Sequence, residues 1–222
     1  MKRSEINGHM RAALQFFSEN KFLLPTWATY SPADWKGKYE SSSEIIDNAL
    51  GWDLTDFGSN DYASRGLMLF TIRNGNFAKD NKPYCEKIMI AGIGQETPMH
   101  FHKLKMEDII NRGGGILEIE FYNSNADGSF SDQPFLVKID GQKKTLTPGE
   151  KVQLLPGQSV CMESGVYHRF YGVNAPVLVG EVSTVNDDTN DNFFKEEIGR
   201  FPQIIEDEAP LYLLSTEYQS YL

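Results

Sequence analysis

Cysteine is scarce in this sequence: Cys85 and Cys161 are the only two thiols, and neither belongs to a Cys-x-x-Cys pair. Two thiols in 222 residues exclude a disulfide framework, and both are expected to be reduced and buried as small core hydrophobes. Long apolar runs are missing as well. The longest, such as Ile88 to Ile93, are strand-length and far below the ~20 residues that cross a bilayer as a helix, so no membrane partner is expected. Basic clusters are absent, and the formal net charge is −10. Phosphate-backbone binding needs concentrated positive charge, which argues against nucleic acid. There is no glycine-rich phosphate loop and no dense arginine set for a smaller phosphorylated ligand. Glu5, His9 and Arg11 interrupt the place where the apolar core of a signal peptide would lie. A cytoplasmic location is the expectation that remains.

What the chain does have is enough apolar material for one core: 40% of its residues are hydrophobic and 12% aromatic, and residues 1–222 read as a single domain. From Ser4 to Asn20, Ile6, Met10, Ala13, Leu14 and Phe17 recur at helical spacing behind a Ser4 that can cap the first turn. Ser31-Pro32, with Asp34 beside it, predicts a second short helix containing Trp35. Ser43 to Leu50 predicts a third, so residues 1–65 read as a helical N-terminal extension. Beyond Arg65 the period becomes that of strands. The segments are Leu67 to Arg73, Tyr84 to Ile93, Ile116 to Tyr122, Phe135 to Ile139, Val152 to Leu155, Ser159 to Met162, Tyr167 to Tyr171 and Val177 to Val182. Turn residues such as Asp140-Gly141 and Pro156-Gly157 separate them. Many short strands with such turns predict a mainly β protein, an antiparallel sandwich or barrel over residues 66–222 with the helices outside and a C-terminal tail packed back on it.

Three of the four histidines fall in two motifs. His100 and His102 are two apart, so on a strand both project to one face, and Glu107 can join them after a turn. His168 follows one set of hairpins later. Any one of these histidines alone is more readily a surface or core residue than a ligand; the combination of types, spacing and strand context points to a metal site. Imidazoles with one carboxylate favour Mn, Fe, Co, Ni or Zn over calcium or a thiolate site. Two lysines lie close by in the sequence. Lys87 shares a strand face with Met89 and Ala91, opposite Ile88 and Ile90, and Lys105 precedes Glu107 by two residues. Lysines normally stay in water, but one beside a metal ion loses its proton more readily and becomes a base.

The run from Gly94 through His100-Phe-His102 and Glu107 to Gly114 reproduces the first motif of the cupin superfamily. Gly157, Gly165 and His168 reproduce most of the second, with Glu163 where proline is usual and Gly172 where asparagine is usual. The resemblance implies a cupin fold, a double-stranded β-helix or jelly-roll-like barrel. Across nearly its whole length the sequence further resembles the D-lyxose isomerase family. The stretches that carry this likeness include Met-Lys-Arg-Ser-Glu-Ile-Asn at the start, Leu24-Pro25 with Trp27 and Tyr30, Gly51-Trp-Asp-Leu-Thr-Asp-Phe-Gly58, and His100 to Glu107. Val166-Tyr-His-Arg-Phe170, Glu181 to Asp188 and Gly199-Arg-Phe-Pro202 complete them.

This second resemblance implies a manganese-dependent interconversion of D-lyxose and D-xylulose, and of D-mannose and D-fructose. One divalent ion per chain would be held by His100, His102, Glu107 and His168. Aldose isomerisation needs proton removal beside a carbonyl, its return to the neighbouring carbon, and stabilisation of developing negative charge. Lys105 or Glu107 would shuttle the proton by a cis-enediol route, while Lys87, Asp187 and Arg200 position the sugar; a hydride shift would use similar residues. Trp27 and Tyr30 either wall the pocket or pack the helical segment onto the barrel. Asp187 has a turn-capping alternative, and Arg200 one in pairing with an acidic neighbour. A homodimer is expected. The competing readings are an iron-dependent cupin dioxygenase on the same four ligands and a non-enzymatic sugar-binding cupin.

Overall fold

The computed structural model describes residues 1–79, 81–188, 190–199 and 203–222. Among these are two α-helices, α1 (Arg3–Glu19) and α2 (Tyr39–Asp47). The strands, in chain order, are β1 (Gly51–Thr55), β2 (Leu67–Arg73), β3 (Tyr84–Ala91), β4 (Thr97–His102), β5 (Glu107–Gly114), β6 (Leu117–Asn123) and β7 (Phe135–Ile139). They continue with β8 (Gln142–Leu146), β9 (Glu150–Leu154), β10 (Ser159–Met162), β11 (Val166–Gly172), β12 (Val177–Thr184) and β13 (Asn192–Phe194). They form two sheets in the orders β1-β2-β3-β12-β5-β10-β7-β8 and β13-β4-β11-β6-β9, with every pairing antiparallel. Asp140 and Gly141, at φ 47° and 79°, make the two-residue hairpin turn between β7 and β8, the type whose twist matches its strands.

The sheets meet face to face over Met89, Ile109, Val160 and Val179 from one and Leu117, Ile119, Phe121 and Phe170 from the other. Alternation along the strands then decides what lies on the outside. On β2, β3 and β12 the outward residues Met68, Phe70, Ile88 and Leu178 are apolar too, and α1 covers them with Ile6, Met10, Ala13 and Phe17. Ile6, Met10 and Phe17 are at most 1% exposed, a burial that contributes roughly 1.5–3 kcal/mol for each.

The structure departs from the expected elements in several places. Residues 1–65 are not helical throughout: β1 lies in them and closes one edge of the larger sheet. Its apolar Trp52 and Leu54 face the helix layer while Asp53 and Thr55 face a cavity between the sheets, so the pattern reads as the reverse of an ordinary surface strand. The segment around Trp35 is a single 3₁₀ turn, Pro32–Trp35, with the Asp34 carboxylate accepting from the Ser31 N–H at 2.8 Å and hydroxyl at 2.6 Å. Helix α1 begins one residue earlier than Ser4. Glu5 accepts from the Lys2 backbone N–H at 2.7 Å, and the Ser4 hydroxyl donates instead to Asp207. Strands β5 and β8 were not anticipated because Asp108, Asn111 and Arg112 interrupt one and Gln142-Lys-Lys-Thr the other; β8 is an edge strand, where such residues discourage further pairing. Cys85 is fully buried, whereas Cys161 is only partly covered.

The C-terminal segment does pack back. Ser215 N–H donates to the Trp52 carbonyl at 2.8 Å along the free edge of β1, and Leu213 and Leu214 are buried. Arg3 anchors it, donating through Nε and Nη2 to Glu206 at 2.8 and 2.6 Å and also pairing with Glu217. The Arg3 side chain is 2% exposed, that of Glu217 17% and that of Glu206 57%. Breaking a buried pair from one side strands its partner. Arg3→Ala is therefore expected to lower the free energy of urea unfolding by about 3 kcal/mol, and Glu206→Gln by less than ~1 kcal/mol.

Candidate metal centre and catalytic cavity

Strand β4 carries His100 and His102 on one face, and His168 on β11 is the register partner of His100, which places the three imidazoles together. Glu107 opens β5 in the facing sheet. All four are buried. The ligand atoms of the three rings lie within 4.8 Å of one another, and Glu107 Oε1 is 3.0 Å from His168 Nε2 and 3.4 Å from His102 Nε2.

The opposite ring nitrogens decide what those atoms offer. Nδ1 of His100, His102 and His168 lies 2.7, 3.1 and 3.1 Å from the carbonyls of Pro98, Asp191 and Val166. A carbonyl only accepts, so each Nδ1 donates, which leaves Nε2 as the ring atom with a lone pair to offer a metal ion. Burial, reinforced by the two neighbouring rings, holds His100 well below the ordinary imidazole range and keeps it neutral. Lone pairs turned toward a carboxylate repel it, and Glu107 Oε1 has no hydrogen-bond partner among the described residues. A divalent cation relieves both conditions, and the donor set of imidazoles and one carboxylate fits such an ion.

Beside the ligands runs a row of charges of alternating sign. Lys105 Nζ is 2.8 Å from Glu107 Oε2 and 2.8 Å from Glu181 Oε1. Lys87 Nζ is 3.5 Å from the same Glu181 oxygen, and donates to Asn186 Oδ1 at 2.7 Å. Burial opposes the charge on every one of these groups and is outweighed by the neighbours. The carboxylates of Glu107 and Glu181 hold Lys105 above the ordinary lysine range, and Glu181 does the same for Lys87. Lys105 holds Glu107 well below the carboxylate range, and Lys105 with Lys87 lowers Glu181. These two carboxylates work against the proton loss expected of Lys105 beside a metal ion. That reasoning considered only a neighbouring cation, whereas Glu181 also stands against the ammonium.

The four ligand candidates, Lys87, Lys105 and Glu181 line one cavity between the sheets, together with Asp53, Thr55, Thr97, Asp188 and Asn192 and the apolar Leu67, Leu69, Met89 and Phe170. Other expected sugar contacts lie elsewhere. Trp27 packs on Phe70 with ring centroids 4.9 Å apart, on the face of β2 opposite to the cavity-lining Leu67 and Leu69. Tyr30 packs on Trp35 at 5.6 Å. Trp27 joins the helical layer to the sheet, and Tyr30 packs in the cluster of Trp35, Ile46, Leu213 and Tyr218. Asp187 lines a neighbouring cavity and receives the Asn190 N–H and side-chain amide at 3.1 and 2.9 Å, the turn-capping arrangement; Asp188, one residue on, lines both that cavity and the one that holds the ligand candidates. Arg200 lies outside the described residues.

A model of the D-lyxose isomerase family matches residues 1–218. The chain belongs to the D-lyxose isomerase family. Curated relatives named D-lyxose/D-mannose isomerase, from Escherichia coli O157:H7 and Serratia proteamaculans, are 45% and 44% identical to it over the full length of both chains. Among solved structures, Cellulomonas parahominis L-ribose isomerase matches with a TM-score of 0.62 at 18% identity, covering 92% of this chain and 98% of that one. Acinetobacter sp. DL28 L-ribose isomerase in complex with L-ribose matches with a TM-score of 0.59 at 16% identity, covering 89% and 93%. The fold of this D-lyxose isomerase family member is thus mainly β and of cupin type, and the chain is an enzyme, a sugar aldose–ketose isomerase. Among the described residues no helix is long and apolar enough to cross a membrane.

Glu181, which pairs both lysines, was missed by sequence reasoning. The available signal was a carboxylate at the third inward position of β12, after Val177 and Val179. Asp191 was missed too, and no spacing rule pointed to it. Its carbonyl accepts from His102, and its carboxylate accepts the N–H groups of Leu104 and Lys105 at 2.7 and 2.8 Å. It thereby fixes both a ligand ring and the turn leading to Glu107. Replacing Asp191 with Ala keeps the carbonyl but frees the turn, and is expected to weaken divalent-metal affinity about 10–100-fold in calorimetric titration.

Proposed function

We propose that this enzyme interconverts D-lyxose with D-xylulose, and D-mannose with D-fructose, using one divalent ion, manganese by preference, on His100, His102, Glu107 and His168. The observation that carries the proposal is the pairing of a cation site with a buried carboxylate, Glu181, that is free of the ligand set and lines the same cavity. Support for the substrates comes from the curated relatives and the family match. A divalent ion held by these four residues would supply Lewis-acid polarisation of the sugar's carbonyl.

The remaining work falls to side chains. Glu181, ionised and facing the cavity, takes the proton from the carbon beside the carbonyl and returns it to its neighbour, the requirement of a cis-enediol route. Lys105, held protonated between Glu107 and Glu181, places a fixed positive charge where negative charge develops on the sugar oxygens. Lys87 steadies the Glu181 carboxylate from the other side and is itself fixed by Asn186. Asp53 and Asp188 are placed to receive hydroxyls farther along the sugar chain. The apolar Leu67, Leu69 and Met89 exclude water from the reacting carbons. The protein is placed in the cytoplasm as a homodimer, the commonest soluble assembly.

Ketose formation from D-lyxose and D-mannose is the direct assay. Chelation should abolish it and manganese restore it, while Glu107→Gln should lose both metal affinity and turnover. Glu181→Gln should bind the metal normally yet turn over about 10²–10⁴-fold more slowly. A Glu181→Gln enzyme with wild-type rate would assign the proton transfer elsewhere. An enzyme fully active without metal would overturn the proposal.

A further inference from the structure

Among the described residues, three buried side-chain atoms lack a hydrogen-bond partner: Glu107 Oε1, Asn192 Oδ1 and Thr97 Oγ1. All three residues line the catalytic cavity. Buried polar groups are ordinarily paired, so each exception calls for an explanation. The metal site accounts for Glu107. Asn192 still donates to Asp188 Oδ1 at 3.1 Å. Thr97 is 4% exposed and has neither account.

Its direction is itself the product of an irregular strand. On a regular β4, residues 98, 100 and 102 would share the inward face and Thr97 would point away. The register breaks that rule: His168 pairs with His100, but Phe170 pairs with Thr97, so three steps along β4 oppose two along β11. This is a β-bulge, and the extra residue lies at Pro98–Met99, where a proline without an N–H is tolerated. The bulge does two things. It presents the Pro98 carbonyl to His100 Nδ1 at 2.7 Å, and it turns Thr97 inward beside Phe170, which also lines the cavity.

The outcome is a hydroxyl on the wall formed by the five-stranded sheet, in a cavity that also holds Lys87 and Glu181 from the other sheet and Lys105 from the turn before β5. The geometry points to Thr97 as a substrate-binding residue: its hydroxyl exchanges a hydrogen bond with a hydroxyl of the open-chain sugar. This rests on the isomerase reading of the cavity and adds to it a recognition group on the wall of the five-stranded sheet. A threonine hydroxyl both donates and accepts, which suits a polyol rather than a carboxylate or phosphate.

The test uses Thr97→Val, which keeps the shape and removes the hydroxyl, beside Thr97→Ser, which keeps the hydroxyl. With manganese-loaded protein, kcat/KM for D-lyxose and D-mannose and the affinity for a pentitol are measured together with the melting temperature. Thr97→Val is expected to lose about 10–100-fold in kcat/KM and in pentitol affinity, with a melting temperature equal to or above wild type, because an unpaired buried hydroxyl has been removed. Thr97→Ser is expected to stay within about threefold of wild type on both ligand measurements. A lowered melting temperature in Thr97→Val with no change in pentitol affinity would make the hydroxyl structural and overturn the inference. Wild-type turnover that Thr97→Val matches on both sugars would overturn it while leaving the isomerase reading intact. A wild-type protein that neither binds nor converts any aldose would overturn both.

Discussion

The row Lys87, Glu181, Lys105, Glu107 is the constraint around which the rest is arranged. Four ionised groups lie inside a β-barrel, each buried, and the desolvation of an unpaired charge there costs several kcal/mol. They are tolerable only because the signs alternate and the spacings are short, 2.8 Å on either side of Lys105. Strand pairing produces that order. Glu181 on β12 is the register partner of Lys87 on β3, and Ser183, two residues on, is the partner of Glu107 on β5. Three neighbouring strands, with Lys105 from the turn before β5, therefore contribute one charged row, and its end at Glu107 meets the three imidazoles of the opposite sheet.

A polar interior has to be offset elsewhere, and here the outside of the sheet does it. The strands that carry the inward charges or cavity residues, β1, β2, β3 and β12, also carry the outward Trp52, Leu54, Met68, Phe70, Ile88 and Leu178. The usual arrangement is inverted over this part of the sheet. The apolar core lies between sheet and helix, while the cavity side keeps the groups that do chemistry. This explains why α1 and the C-terminal segment are integral rather than decorative, with Arg3 joining them through Glu206 and Glu217. It also fixes register, because a one-residue slip of β3 would exchange Lys87 for Ile88 in the cavity.

The same inversion determines what could be read from the chain. His100, His102, Glu107 and His168 were legible because a two-residue spacing and a recurring motif express strand geometry directly, and the strands rich in Val, Ile, Leu and Phe were legible for the same reason. Lys87 was placed on the correct face with Met89 and Ala91, although the sequence did not say which face pointed inward. Glu181 was hidden because a lone carboxylate in an apolar strand looks like the exposed member of an alternating pattern. For Trp27 and Tyr30 the sequence left two readings open, a sugar platform or packing, and Trp27 packs in the apolar layer on the far side of β2 while Tyr30 packs on Trp35. Asp187 was one residue from Asp188, and in a turn no periodicity separates the residue that caps from the residue that faces the cavity. Thr97 needed a bulge, which alters side-chain parity without any pattern that a period-two reading can register.

The position of the protonated lysine bears on how the cavity handles charge. If Lys105 were neutral, Glu107 and Glu181 would face one another across it as like charges, and one carboxyl would rise in pKa until it took up a proton. Glu181, if it were that one, would then be unavailable for the base role proposed for it. With Lys105 cationic, both carboxylates remain ionised: one is free to serve as a metal ligand and the other to accept a proton. The ammonium therefore acts before any sugar arrives, by keeping two acids of the same cavity in the same protonation state although their proximity favours different ones. In the proposed reaction its charge also stays where the substrate's oxygens become negative, so one residue would set the resting state of the base and meet the charge that the base's action creates.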